Sequence, residues 1–186
     1  AAHVVALDVG HGQLHPRLRD HDCVTVLERT NVRHADPEQL GTFDGVVADL
    51  SFISLTTVMA ALVGLTAPGG WLVLLVKPQF EAGRREVSRA KGVISDPAVW
   101  RDALLRVAAS AESCGAVVTG LAESPIRGAE GNREFLLHLT RGEAAPSGAT
   151  AGRAEGAGEP SAAAMELIDA ILPADAAVLD VGGAPR

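Results

Sequence analysis

The chain has 186 residues, 47% of them hydrophobic and 21% charged, a balance that fits one ordinary soluble domain plus a tail. No run approaches the roughly 18 uninterrupted apolar residues of a membrane span, and the start AAHVVALDVG lacks the basic flank of a secretory signal, so the expectation is a cytoplasmic protein with no membrane partner. A formal net charge of −7 excludes a surface coated in phosphate-binding cations, so any contact with nucleic acid has to be local.

In chain order, VVALDV (4–9) reads as a buried strand, VTVLER (24–29) as a second and GVVADL (45–50) as a third. The segment ISLTTVMAALVGLT (53–66) keeps a helical apolar period and meets a stop at Pro68, Gly69 and Gly70. WLVLLVKP (71–78) is apolar on both faces, as a central parallel strand should be. A Gly- and Arg-rich stretch follows. Its Arg84, Arg85, Arg89 and Lys91, with Arg127 and Arg133 further on, are the candidate phosphate contacts; the competing reading is a solvated charged loop interleaved with Glu81 and Glu86. Asp96 and Pro97 form an N-cap and first-turn pair for a helix running to about Cys114 and stopping at Gly115. AVVTGLAE (116–123) and EFLLHLTR (134–141) are the last strands. The connection between them, SPIRGAEGN, is shorter than a parallel crossover needs, which predicts an antiparallel hairpin.

This alternation predicts an α/β fold: a mostly parallel, Rossmann-like sheet with helices on both faces, ending in an antiparallel hairpin strand. The hairpin separates a class I methyltransferase sheet from the all-parallel sheet of a dinucleotide-binding dehydrogenase, and no complete G-x-G-x-x-G follows a strand. The domain spans residues 1–141, and a Gly/Ala/Pro linker occupies 142–160. Residues 161–186 hold a short amphipathic helix, AAAMELIDAIL, and then AAVLDVGG, a strand entering a glycine turn. Cys23 and Cys114 lie far apart without C-x-x-C spacing and read as plain buried thiols, with no metal site implied.

Ligands of open α/β sheets bind outside the carboxyl ends of the strands. Asp8 stands at such an end, where a carboxylate can accept from ribose hydroxyls; the alternative is a turn former. Asn31 follows the second strand, within reach of an adenine edge or simply in a turn. Asp49 and Lys77 end adjacent predicted strands, and a lysine in an apolar strand must find a carboxylate or lose its charge. Their alternative reading is a structural ion pair. Glu134 opens the last strand, whose antiparallel direction brings its beginning to the same edge. Three ionisable groups are therefore expected at one mouth.

The motifs DVGHGQL, VLERTN, DGVVADLSFISL, LLVKPQFEAGR, GVISDP and GNREFLLHL resemble those of the TlyA group of ribosomal RNA 2′-O-methyltransferases, within the FtsJ-type enzymes, over residues 1 to about 140. The resemblance implies S-adenosyl-L-methionine as cofactor, ribosomal RNA or ribosomal subunits as partner, and a Lys-Asp-Lys-Glu tetrad of which Asp49, Lys77 and Glu134 are three members. It assigns Asp8, Asn31 and Asp49 to the cofactor. The first lysine, the cofactor glycine loop and an S4-like RNA-binding domain are expected before Ala1. A class I sheet has its first strand between the Asp8 and Asp49 strands. Two readings of the tail follow: residues 176–181 start a further Rossmann-like module, or they fill that central slot as a permuted first strand. The mechanism implied is in-line attack of a ribose 2′-oxygen on the sulfonium methyl group. A lysine can act there as base only if its pKa is depressed, and neighbouring carboxylates oppose that. The functional alternatives are a catalytically inactive RNA-binding fragment and the haemolysin activity named for some relatives.

Overall fold

The computed structural model describes residues 1–82, 92–143 and 158–172. Arg84, Arg85, Arg89, Lys91, most of the linker and the segment 176–186 lie outside the described residues.

The elements in order are β1 (Val4–Leu7), α1 (Pro16–Arg19), β2 (Val24–Leu27), α2 (Pro37–Leu40), β3 (Phe43–Ala48), α3 (Leu55–Leu65), β4 (Thr66–Val76), α4 (Pro78–Glu81), α5 (Pro97–Ser113), β5 (Ala116–Glu123), β6 (Phe135–Arg141) and α6 (Ala162–Ile171). Asp96 caps α5 through its side chain, and Gly115, at φ 88°, follows the helix end. Both were expected from the sequence, because a short acceptor at the N-terminus and a left-handed residue at the C-terminus satisfy helix-end backbone groups that nothing else can.

Four strands form one sheet in the order β3-β4-β6-β5, with β3 parallel to β4 and β6 antiparallel to both neighbours. The hairpin therefore exists, and its second strand inserts between β4 and β5. Phe135, Leu137 and Leu139 of β6 are fully buried, as are Leu72, Leu74 and Val76 of β4. At about 1.5–3 kcal/mol for each such side chain withdrawn from water, this alternate row is the main stabilising surface. Helices α3, α5 and α6 complete the same apolar cluster through Met59, Leu62, Leu104, Val107, Ala164 and Ile168.

The other row of the sheet behaves differently from expectation. Val47 is 71% exposed, Val117 53% and Trp71 43%, so among the described residues helices cover only one face. A second difference lies in β4, which begins at Thr66, absorbing the Pro-Gly-Gly that reads as a loop. Thr66 is fully buried, its hydroxyl donates to the Leu62 carbonyl, and Arg141 donates to the Thr66 and Gly64 carbonyls. Those donors satisfy the early start of the strand. Cys23 is exposed and Cys114 half-buried, which corrects the expectation of two buried thiols.

The strands β1 and β2 form a separate parallel pair. Val4 and Asp8 donate their N–H groups to Cys23 and Leu27 across this pair, so by alternation the backbone groups of Val5 and Leu7 point away from β2. Between β1 and β3 lies a cleft of about 1090 Å³.

Candidate active site

The parallel strands carry their carboxyl ends to one edge, and the chain leaves each with a polar residue. After β1, Asp8 Oδ1 accepts from the Gly10 N–H at 2.6 Å, an Asx turn that orients the carboxylate at the start of its loop. After β2, Asn31 caps a short 3₁₀ turn, its Oδ1 accepting from the Arg33 N–H at 3.0 Å. Both residues thus take the turn role that was their alternative reading, and both are exposed. They line the cleft together with Asp49, beside apolar wall residues Val5, Leu7, Val46 and Ile53.

Glu28 anchors this side. Arg19 and His11 pair with it, and the Gly12 N–H donates to it at 2.8 Å, which ties the loop after Asp8 to the end of β2. The guanidinium of Arg19, followed by the Gly12 and His11 contacts, holds the Glu28 carboxyl down at about 2.

Lys77 and Asp49 meet at the tips of β4 and β3. Lys77 Nζ lies 2.6 Å from Asp49 Oδ1 and 3.1 Å from Ser51 Oγ. The lysine side chain is only 11% exposed while that of Asp49 is 68% exposed, so the cation is sheltered and its partner faces solvent. The Phe80 ring sits 5.9 Å from Nζ. Glu134 is buried and reaches this pair at one remove: its Oε1 accepts from Gln79 Nε2 at 3.2 Å, two residues past Lys77. Gly128 makes room for it, since a Cβ there would overlap the Glu134 carboxylate. Arg127 and Arg133 both pair with Glu123, and Arg133 also stacks 4.7 Å over Trp100.

Several residues at this mouth were not legible as candidates. Ser51 touches Lys77 directly. Phe52 is 91% exposed with φ 64°, a left-handed conformation unusual for a bulky residue, and its ring lies 5.2 Å from that of Phe80. Such backbone strain costs of order 1–3 kcal/mol and concentrates where geometry matters for a ligand. Glu81 is buried, and burial pushes its carboxyl above the ordinary carboxylate range despite opposing hydrogen bonds from Ser54 and the Leu55 N–H. The polar pattern Lys77, Gln79, Glu81 straight after an apolar strand was the available signal. Among the described residues no group of His, Cys, Asp and Glu could hold a metal ion, and no helix is long and apolar enough to cross a membrane.

The profile of the FtsJ-like methyltransferases matches residues 1–141. The 16S/23S rRNA (cytidine-2′-O)-methyltransferase TlyA of Mycobacterium tuberculosis is 50% identical over 140 residues, 75% of this chain and 52% of that protein. A solved structure named as a hemolysin, from Streptococcus thermophilus, superposes with a TM-score of 0.75 at 35% identity, covering 91% of this chain and 58% of that one. The N-methyltransferase NodS from Bradyrhizobium japonicum superposes at TM-score 0.50 and 17% identity over 76% of this chain and 74% of its own, a likeness of fold. The chain spans about half the length of the curated relatives it matches. The mixed sheet, in which β6 alone runs against the other three strands, is similar to class I methyltransferase folds.

Proposed function

The chain belongs to the FtsJ-like methyltransferase family, and from that premise we propose that it serves S-adenosyl-L-methionine-dependent methylation of a ribose 2′-hydroxyl in ribosomal RNA. The observation that carries this reading is the sheltered Lys77 paired with Asp49 at the strand tips, beside a cleft fit for the cofactor. The cleft joins an apolar wall, suited to an adenine face, to the Asp8 and Asp49 carboxylates, suited to hydroxyls and to a cationic methyl donor. When bound, the cofactor supplies a methyl group on a sulfonium.

In the proposed mechanism Lys77 hydrogen-bonds the 2′-oxygen and aims its lone pair at the methyl carbon. Asp8 and Asp49 would hold the methyl donor in the cleft, and the donor would supply its methyl group to that oxygen while its sulfur kept the bonding pair. The 2′ proton leaves past Lys77 to the Asp49 carboxylate, which solvent reaches. Asp49 and Ser51 hold the lysine, and Glu134 fixes Gln79 below it. The exposed Phe52 ring offers a face on which an unstacked base can lie, the usual mode of single-stranded RNA recognition. Arg127 and Arg133 are at most modest phosphate contacts, being already paired with Glu123. Ribosomal RNA as substrate places the work in the cytoplasm.

The test is methyl transfer from labelled S-adenosylmethionine to ribosomal RNA, with the Mycobacterium tuberculosis relative as positive control. Lys77→Ala should lower transfer by roughly a thousandfold or more while cofactor affinity changes less than threefold. Turnover unchanged in Lys77→Ala would sink the assignment of Lys77.

The contacts Ser161–Glu112 and Arg101–Asp169 set α6 antiparallel to α5 and against β5.

A further inference from the structure

Glu81 takes no part in the reaction proposed above, yet its side chain is nearly buried at the joint between the two loops that supply Asp49 and Lys77. The chain turns directly from Lys77 into α4, with the Glu81 N–H donating to the Lys77 carbonyl at 3.2 Å. That single turn carries the Glu81 carboxyl across to the N-terminus of α3. There Oε1 accepts from the Leu55 N–H at 2.7 Å, and Oε2 lies 2.5 Å from the Ser54 hydroxyl. An acceptor at a helix N-terminus satisfies an amide that would otherwise be orphaned and sits well with the helix dipole. The segment that Glu81 grips begins only two residues after Phe52 and three after Ser51, and Asp49 leads into it.

We propose that Glu81 is the positioning residue of this site: by capping α3 from the loop after Lys77, it fixes the Asp49–Ser51 segment at the distance that the Lys77 ammonium requires. The other links between these loops are weaker holds. Lys77 bonds Asp49, whose carboxylate is mostly in solvent, and Phe52 meets Phe80 in a tilted ring contact at the surface. Glu81 alone in this set is buried and bidentate, so it sets the register on which the exposed contacts depend. Arg106 steadies the same turn by donating to the Glu81 carbonyl at 3.1 Å. The inference rests on the methyltransferase reading for its consequence, but its geometric claim can be tested without turnover.

Within residues 1–186 lysine occurs only at positions 77 and 91, so this chain labelled with ¹³C at lysine Cε gives two side-chain signals. In Glu81→Ala the Lys77 signal should move most of the way to its position in Asp49→Asn, while the Lys91 signal stays. Glu81→Gln should restore it, because the amide can accept from Leu55 and donate to Ser54; Glu81→Asp, a methylene shorter, should not. Methyl transfer should fall roughly a hundredfold in Glu81→Ala, as a displacement of about 1 Å at a reacting group can cause. A folded Glu81→Ala protein that melts earlier but leaves the Lys77 signal in place overturns the proposal, since that is a purely structural role. If Glu81→Ala does not fold, Ser54→Ala removes one of the two bonds of the bridge and leaves the one from the Leu55 N–H; a smaller shift of the Lys77 signal in the same direction is then expected, and an unmoved signal overturns the proposal. A shifted signal in a protein whose wild type transfers no methyl group supports the positioning role and counts against the functional reading alone.

Discussion

The two halves of the mouth are built in opposite ways. On the side of Lys77 and Glu134, β4 and β6 at the centre of the four-stranded sheet share a row of side chains with no solvent exposure, and the polar residues stand on the ends of that rigid layer. On the side of Asp8 and Asn31, residues 1–42 contribute one buried hydrophobic residue, Val32, and among the described residues β1 and β2 pair only with each other. There the polar side chains are held by local turns and by the Glu28 cluster. A reacting group has to be held to a fraction of an ångström, which takes packing on all sides; a cofactor cleft can be completed by what enters it. The lesson is that the acceptor side is preorganised by burial, while the cofactor side depends on short-range hydrogen bonds and charge.

The sharpest way to break this comparison is to damage the buried row. Phe135→Ala should cost about 3–5 kcal/mol and lower the melting temperature of the whole domain, whereas Val5→Ala in β1 should cost about 1 kcal/mol or less; similar losses would mean that β1 and β2 share the core after all. Next in size, Gly128→Ala should cost about 1–3 kcal/mol from the overlap with Glu134, and its signature should be local: shifts at Gln79 and Glu134 in NMR spectra, with β1 and β2 untouched.

The smallest effects concern the cofactor side in isolation. Amides of β1 and β2 should exchange hydrogen on the order of 100-fold faster than those of β4 and β6, as expected of a unit that opens locally. Acid should widen that gap. The Glu28 carboxyl has a folded value of about 2 against an ordinary 4.5, so its contribution is fully present above about 4.5 and is lost as pH falls through about 2. Exchange in β1 and β2 followed from pH 5 to pH 2, after correction for intrinsic rates, checks the sign. Glu81 works in the opposite sense: with its carboxyl raised by burial, stability declines as pH rises through its folded value, and Glu81→Gln should remove that decline.

Particular residues show how far the sequence could be read. Asp96 and Gly115 were legible as helix ends because capping is a local matter of one side chain or one left-handed residue. Asp49 and Lys77 were legible as neighbours because strand alternation alone fixes which edge their ends share. The early start of β4 was not, since it depends on Arg141, 75 residues away, reaching the Thr66 carbonyl. Ser51, Phe52 and Glu81 look like ordinary loop residues until the loop after β3 and the turn after β4 are set against each other.

By itself the sequence determined the α/β alternation, the antiparallel last strand, the family and the edge on which the chemistry-bearing residues lie, because each follows from periodicity, connection length or motif. Only the tertiary structure decided that Glu134 bonds Gln79, two residues past Lys77, that among the described residues one sheet face is covered and the other bare, and that a buried carboxylate bridges the two loops of the site. Those are outcomes of packing between segments distant in the chain, and hydrophobic burial, which drives such packing, has no direction that a local pattern can record.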